Sequence, residues 1–357
     1  MSWYLETGPD SDVVLSSRVR LARNVAGHAF TADLDPQAAA DLFKRIRDAI
    51  FQANDRMPKQ YRDLDLKALD DLTAGVLVEQ RLISEDLKKA CGSGANQPGR
   101  VVISTDEAVS VMIGEEDHIR IQAMAPGLDL QEAYQRAEEM AVLLEEKLPT
   151  AYDEQFGFLT ACATNTGTGM RASAMVHLPG LTATRQMTSL QQQLERIGFS
   201  LRGAYGEHSR ADGCLYQISN QVTLGLTEGD ILSETEMIVD RVISLERQVR
   251  QELKEQGGLA LEDRLWRQYG LLTTARRLTG QEGLNACSDL ALGVEIGLFD
   301  FLDAKDIKGL LAALGPASVQ QRAGHLLEAP ERDVERATII RALLKDKEKN
   351  TKECDEI

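Results

Sequence analysis

The hydrophobic period of this chain changes once, near residue 228, and that change limits what it can fold into. Before it come short runs with the two-residue period or compact apolar character of strands: VVLSSRVRLAR (13–23), RVVIST (100–105), AVSVMI (108–113), FSLRGAY (199–205) and CLYQISNQ (214–221). Segments of helical spacing separate them, at about 36–53, 84–91, 130–147 and 182–197. Ser84 is placed to cap the second of these, with Leu87 on its buried side. Beyond residue 228 the texture is helical, through ILSETEMIVDRVISLERQVRQEL, LEDRLWRQYGLLTTARRL and ACSDLALGVEIGLFDFL, punctuated by Gly257, Gly258 and Gly280. The expectation is an α+β fold: a mainly antiparallel sheet with helices on one side, then an all-helical domain. The boundary is drawn between 1–243 and 244–357.

Several strands carry charge where a core strand is usually apolar. In SSRVRLAR, Arg18 and Arg20 share one face, while Val19 and Leu21 share the other. In RASAMVH, Arg171, Ser173 and Met175 alternate with Ala172, Ala174 and Val176. Arg202 follows in SLRGAYGE. GEEDHIRIQ (114–122), taken as a strand, puts Glu116, His118, Arg120 and Gln122 on one face and Glu115, Asp117, Ile119 and Ile121 on the other. Each pattern alone also fits a solvated outer face. Together they describe guanidiniums beside small residues on four strands, which suits a polyphosphate, since paired arginines grip its oxygens in bidentate fashion.

A formal net charge of −16 argues against a nucleic-acid binder, which needs a basic face. The cysteines at 91, 162, 214, 287 and 354 form no CxxC or Cys/His metal spacing. The start, MSWYLETGPDSDVV, has neither the basic nor the apolar part of a secretory signal, and no apolar run is long enough to cross a bilayer. A cytoplasmic protein is expected. There is no Walker A loop and no GxGxxG, HRD or DFG set. A nucleotide site here would be built from arginines, with Mg²⁺ on the phosphates and carboxylates to align and deprotonate an acceptor.

SSRVRLARN, EEDHIRIQ, CATNTGTGMRAS, LRGAYGE and SNQVTLG, in that order, resemble the signature blocks of the phosphagen (guanidino) kinases. Within that family the chain is similar to bacterial protein arginine kinases of the McsB type. SSRVR lies near the start, where relatives acting on small guanidines carry a helical domain first, and ERDVERA fills an RDxxRA pattern in the helical part. The resemblance implies transfer of the ATP γ-phosphoryl to arginine in proteins. It implies that Ser16, Ser17, Arg18, Val19, Arg20 and Arg120 hold ATP, completed by Arg171, Ala172, Ser173, Ala174 and Met175 and by Arg202, Gly203, Ala204, Tyr205, Gly206 and Glu207. Glu116 is the implied catalytic base, Glu207 the second carboxylate on the guanidinium and Cys162 the active-site cysteine. His118 matches a family histidine, for which a structural role is as good a reading. Arg332, Asp333, Arg336 and Ala337 are the implied phosphoarginine pocket. A homodimer through the helical domain, a zinc-binding activator, a heat-shock repressor as substrate, Clp protease machinery and a role in stress response belong to the same implication.

The chain departs from the pattern in places. Gly114 stands where many relatives have Asn, and Ala163 where proline is usual. Arg81, in VEQRLIS, replaces a nucleotide-contacting histidine. A kinase for a free guanidino compound and a non-catalytic phosphoarginine reader are the rival readings. A DNA-binding regulator is disfavoured by charge.

Overall fold

The computed structural model describes residues 3–52, 60–94, 98–203 and 212–355. Ala204, Tyr205, Gly206 and Glu207 therefore lie outside the described residues. The first part of the chain runs β1 (Val14–Arg23), α1 (Pro36–Gln52), β2 (Tyr61–Asp65), α2 (Asp71–Glu79), α3 (Glu85–Lys88), β3 (Arg100–Ser104), β4 (Val109–Ile113), β5 (Ile119–Pro126) and α4 (Leu130–Glu145). A two-residue pair, β6 (Tyr152–Asp153) and β7 (Gly157–Phe158), precedes β8 (Met170–His177), α5 (Pro179–Ala183), α6 (Met187–Arg196), β9 (Phe199–Gly203) and β10 (Leu215–Asn220). The rest is helical: α7 (Glu228–Thr274), α8 (Gly280–Glu295), α9 (Ala304–Ala312), α10 (Pro316–Ala323) and α11 (Ala329–Asp355).

Eight strands form one antiparallel sheet in the order β2-β3-β4-β5-β1-β8-β10-β9. Alternation gives it two unlike faces. Val19, Ile121, Ala123, Ala172, Ala174 and Ile218 lie fully buried in a core they share with residues of α1, α4, α6 and α7. Each fully buried Val or Ile there contributes about 1.5–3 kcal/mol. Helices do not all take one side, however. Val101, Ile103 and Met112 project from β3 and β4 to the other face and pack under Leu66, Leu77, Leu82 and Leu87, around α2 and α3. These two strands are apolar on both faces, so both need cover. The covered end makes a wall, beside which the polar half of that face continues over β5, β1, β8, β10 and β9.

Two local expectations are corrected. The helix expected at about 182–197 is two helices, broken where Arg185 takes a left-handed conformation (φ 60°). GEEDHIRIQ is not a strand throughout. β5 begins at Ile119, and residues 114–118 form a hairpin loop closed by Gly114 N–H donating to the His118 carbonyl at 3.0 Å. Gly114 sits at φ 82°, a region open to Gly and, less readily, Asn. A Cβ there would come within 2.3 Å of the Phe43 ring, so in this chain only glycine fits without repacking.

The C-terminal helices enclose a separate core of Leu265, Leu272, Leu290, Phe299, Leu310 and Ile340. α7 bridges the two cores, and its helical path is interrupted at Gly258 (φ 47°, ψ −146°).

Candidate active site

The antiparallel register brings the arginines together. Arg18 lies opposite Ser173 and Met124, and Arg20 opposite Arg171 and Gln122. Arg120 is across from Ala22, and Arg202 across from Gln217. All of these side chains stand on the uncovered face. Arg18 donates from Nη2 to Gln217 Oε1 at 2.7 Å and from Nε to Ser173 Oγ at 3.3 Å. The Nε atoms of Arg20 and Arg171 are buried with no hydrogen-bond partner.

The electrostatics match this crowding. Burial, then Arg20, Arg81, Arg120 and Arg171, push the Arg18 guanidinium well below its ordinary pKa. Burial, then Arg120 and Arg171, pull Arg20 down to about 9. Arg171 is lowered by burial and by Arg202 and Arg120, with Cys162 and Glu116 opposing. Like charges held this close favour an anion between them. The buried, unpartnered Nε donors fit a polyphosphate such as the one ATP carries.

The other expected nucleotide contacts divide by face. Ser16, Ser173 and Met175 join Arg18, Arg81 and Gln217 around one small pocket. Val19, Ala172 and Ala174 point into the core. Ser17 is taken up by the fold: its Oγ donates to the Gly127 carbonyl and accepts from Asp129 N–H, each at 2.9 Å. Gly203 ends β9 at the edge of the described residues. Arg23, three residues after Arg20 on the same strand, faces the other way, as that odd spacing requires. It pairs with Glu145 at 2.9 Å and lies 3.4 Å over the Phe158 ring.

Arg81 enters from the wall. It follows α2 in a left-handed conformation (φ 61°). The helix ends in a Schellman motif, with Leu82 N–H donating to the Leu77 carbonyl (2.8 Å) and Arg81 N–H to that of Val78 (2.9 Å). Glycine is the usual residue there; arginine costs about 1–2 kcal/mol in backbone strain. The Arg81 carbonyl accepts from Gln122 Nε2, which ties the wall to the sheet beside Arg20.

The hairpin loop holds the acids. Arg120 pairs with both Glu115 and Glu116, at 3.0 Å for the Glu116 contact. The Glu115 side chain is 2% exposed and that of Glu116 44% exposed. Alternation had set these two on opposite faces; a loop releases them from that rule. Glu115 is a site residue the sequence reading missed. Asn24 is another. Its Oδ1 accepts from His118 N–H at 2.8 Å, and its Nδ2 donates to Asp117 Oδ1 (2.7 Å) and the Leu159 carbonyl (3.0 Å). Its place at the end of SSRVRLARN was the only available signal. Asp117 Oδ1 also accepts Ala161 N–H at 2.7 Å, which joins the hairpin to the loop carrying Cys162. In that loop the Cys162 Sγ is 3.0 Å from Thr164 Oγ1. With Ala163 in place of proline, threonines staple the turn: Thr160 Oγ1 donates to the Cys162 carbonyl, and Thr223 Oγ1 reaches those of Thr164 and Thr166.

His118 does not share the Glu116–Arg120 face. It is fully buried; Nδ1 accepts from Val25 N–H (3.0 Å) and Nε2 lies 2.7 Å from the Ala29 carbonyl, to which it donates. That pair of bonds fixes the neutral tautomer, a structural role. Burial, chiefly, lowers its pKa, and burial with Arg250 lowers that of His177 well below the ordinary range. Both histidines are held neutral, so the unfolded chain binds their protons first. Stability is therefore present above about pH 6.5 and lost as pH falls below it, by up to about 1.4 kcal/mol per pH unit for each group. The melting temperature should drop between pH 7 and 5, and less steeply in His177→Gln.

Arg332, Asp333, Arg336 and Ala337 lie together at the start of α11, in the helical part of the chain. Arg336 is buried and donates to the Leu314 carbonyl (2.8 Å), the Leu278 carbonyl (2.7 Å) and Asp333 (2.8 Å). Arg332 donates to the Leu327 carbonyl, and Ala337 is in the core.

A sheet that presents converging arginines beside a carboxylate hairpin is suited to one class of protein: an enzyme that handles a polyanion next to a basic group. Comparison with known proteins gives the class its family. The model of the ATP:guanido phosphotransferase C-terminal catalytic domain matches residues 41–249, and that of the protein-arginine kinase McsB C-terminal domain matches 258–355. The chain belongs to the ATP:guanido phosphotransferase family, within its protein-arginine kinase branch, and is a guanidino phosphotransferase. A protein-arginine kinase of Symbiobacterium thermophilum is 42% identical, over 96% of each chain. One from Geobacillus sp. is 39% identical over 99% of this chain and 97% of its own. Among solved structures, the duplicated taurocyamine kinase of Schistosoma mansoni, with bound transition-state-analogue components, matches at a TM-score of 0.58 and 27% identity, covering 76% of this chain and 38% of that one. A lombricine kinase shares the fold, with a TM-score of 0.59 at 20% identity over 71% of this chain and 72% of that one. No helix among the described residues is long and apolar enough to cross a membrane.

Proposed function

We propose that this enzyme transfers the γ-phosphoryl of ATP to the guanidino group of arginine side chains in proteins. The observation that carries the reading is the face where Arg18, Arg20, Arg120, Arg171 and Arg202 converge, with unpartnered Nε donors on Arg20 and Arg171, beside the Glu115–Glu116 hairpin. The choice of protein arginine is supported by relatives named for that activity. Arg18, Arg20, Arg120, Arg171 and Arg202 take the phosphates together with Arg81, whose charge acts on Arg18, and the pocket around Ser16, Ser173 and Met175 takes the rest of the nucleotide. Glu116 aligns the acceptor guanidinium and accepts its proton; Glu207 is the second carboxylate and Cys162 the active-site cysteine of this reading. Among the described residues no three His, Cys, Asp or Glu side chains form a metal cage. Mg²⁺ in this reading comes with the nucleotide and supplies charge neutralisation on its phosphates.

The same proposal includes a phosphoarginine pocket at Arg332, Asp333, Arg336 and Ala337, a homodimer through helical residues 244–357, and work in the cytoplasm in stress response and protein quality control. An activator protein, a heat-shock repressor and Clp protease machinery are its partners there. These parts rest on the resemblance of the signature blocks.

Incubation of an unstructured arginine-rich protein with the chain and Mg-ATP, followed by fragment mass spectrometry at neutral pH, tests the reading. Phosphoryl on arginine is the expected result. Phosphorylation of free arginine alone would replace the protein substrate by a small one. Arg81 gives a test with two signs. Arg81→Gly should raise stability by about 1 kcal/mol, because the left-handed strain is relieved. It should at the same time raise KM for ATP, with KM for the protein acceptor unchanged. A variant that melts higher and keeps its ATP affinity would take Arg81 out of the nucleotide site.

A further inference from the structure

α10, in the helical part of the chain, starts without a side-chain cap of its own. Its N-cap is Gly315, and Pro316 follows with no N–H to satisfy. The next two donors are met from across the molecule. Glu79 Oε1 accepts Ala317 N–H at 2.7 Å, and Oε2 accepts Ser318 N–H at 2.8 Å and Ser318 Oγ–H at 2.6 Å. A carboxylate here satisfies donors that an N-cap side chain usually takes, and it also meets the positive end of the helix. The contact is close on both sides. A Cβ on Gly315 would fall 2.1 Å from Glu79 Oε2, and one on Gly75 would fall 3.1 Å from Ala317 Cβ. From behind, Arg336 holds the Leu314 carbonyl at 2.8 Å, so the turn that presents α10 is itself fixed.

Glu79 is the last residue of α2, and Arg81 is two residues on. Between them runs the Schellman turn that sets Arg81 in its left-handed conformation. The end of α2 is thus gripped from one side by α10 and from the other by Gln122 on the sheet.

We propose that Glu79 is a positioning residue for nucleotide binding: by capping α10 it makes the placement of Arg81 over the phosphate face depend on the C-terminal helices. The proposal rests on reading that face as the nucleotide site. The carboxylate touches no substrate; it acts through the end of the helix it terminates.

Mg-ATP binding to the full-length chain, measured by titration calorimetry, tests this with variants on both sides of the contact. Glu79→Ala removes the cap, and Gly315→Ala displaces it from the far side while leaving the carboxylate in place. Both should weaken Mg-ATP binding roughly tenfold, the effect of misplacing one charged contact. KM for the protein acceptor should stay where it is. Glu79→Gln, which keeps an acceptor oxygen, should recover part of the affinity and serves where Glu79→Ala folds poorly. In a cycle with Arg81→Ala, the double variant should bind no more weakly than Arg81→Ala alone. A purely structural cap predicts a lower melting temperature with unchanged Mg-ATP affinity at 25 °C, and that result would overturn the proposal. So would losses that multiply in the double variant. Failure of the wild-type chain to bind Mg-ATP would instead remove the nucleotide reading beneath it.

Discussion

Glu116→Gln should reduce phosphoryl transfer to arginine by roughly a thousandfold or more while leaving Mg-ATP affinity within a few-fold of wild type. The amide keeps the shape of the side chain but cannot accept a proton. A guanidinium has a pKa above about 12 and is a poor nucleophile until it is deprotonated, and a positioned base contributes about 10²–10⁴ in rate. Glu116 is the exposed member of a pair held by Arg120; Glu115 is the buried one. In the structure described here Arg120 binds both acids. If phosphate oxygens compete for Arg120, as the proposed function requires, Glu116 is the acid whose exposure lets it turn to an arriving guanidinium. Glu115 remains to hold Arg120 in place. Glu115→Gln should therefore act on nucleotide affinity more than on the chemical step. Fragment mass spectrometry and calorimetry on the two variants separate these effects. Full activity in Glu116→Gln would mean that the base is another group.

Arg20→Met should produce a protein that is more stable without ligand and nearly inactive with it. Methionine retains much of the apolar stem and removes a charge that burial, Arg120 and Arg171 all oppose. It also removes a buried Nε donor that has no partner, a group that costs about 1–3 kcal/mol when left unsatisfied. The ligand-free melting temperature should rise. On the proposed reading Mg-ATP raises the melting temperature of the wild-type chain, and that shift should vanish in the variant, because Arg20 is there one of the guanidiniums that meet phosphate. Such a trade of stability against activity is the physical mark of a site built for a ligand. If Arg20→Met melts lower than wild type, the cluster is not strained and the argument from like-charge crowding fails.

The arginine face was legible because it depends on the shortest-range rule in the chain. Side chains on a strand alternate, so VVLSSRVRLAR alone puts Arg18 and Arg20 together and sends Val19 and Leu21 the other way. The same rule turned Arg23 away from them. It also sends the side chains of Val19, Ala172 and Ala174 into the core, which leaves their backbone as the part that can face a nucleotide. The rule misled in GEEDHIRIQ, where the chain leaves the strand. There a positive φ at Gly114 turns the chain, Asn24, about ninety residues away, holds Asp117 and the His118 N–H, and Arg120 holds Glu115 and Glu116.

Local pattern was enough for most strands, for the charged face of the sheet, for the helical second part, and for Ser84 as the cap whose Oγ accepts Leu87 N–H at 3.0 Å. These follow from contacts within a few residues. Only the tertiary structure decided that α2 and α3 cover the other side of the sheet, that Glu115 joins Glu116 on Arg120, that His118 is buried and neutral, and that Glu79 caps a helix more than two hundred residues further along. Each of these is a pairing between distant segments. Nothing in the local period of either segment specifies its partner; it is set only when the sheet register and the packing of the helices close together.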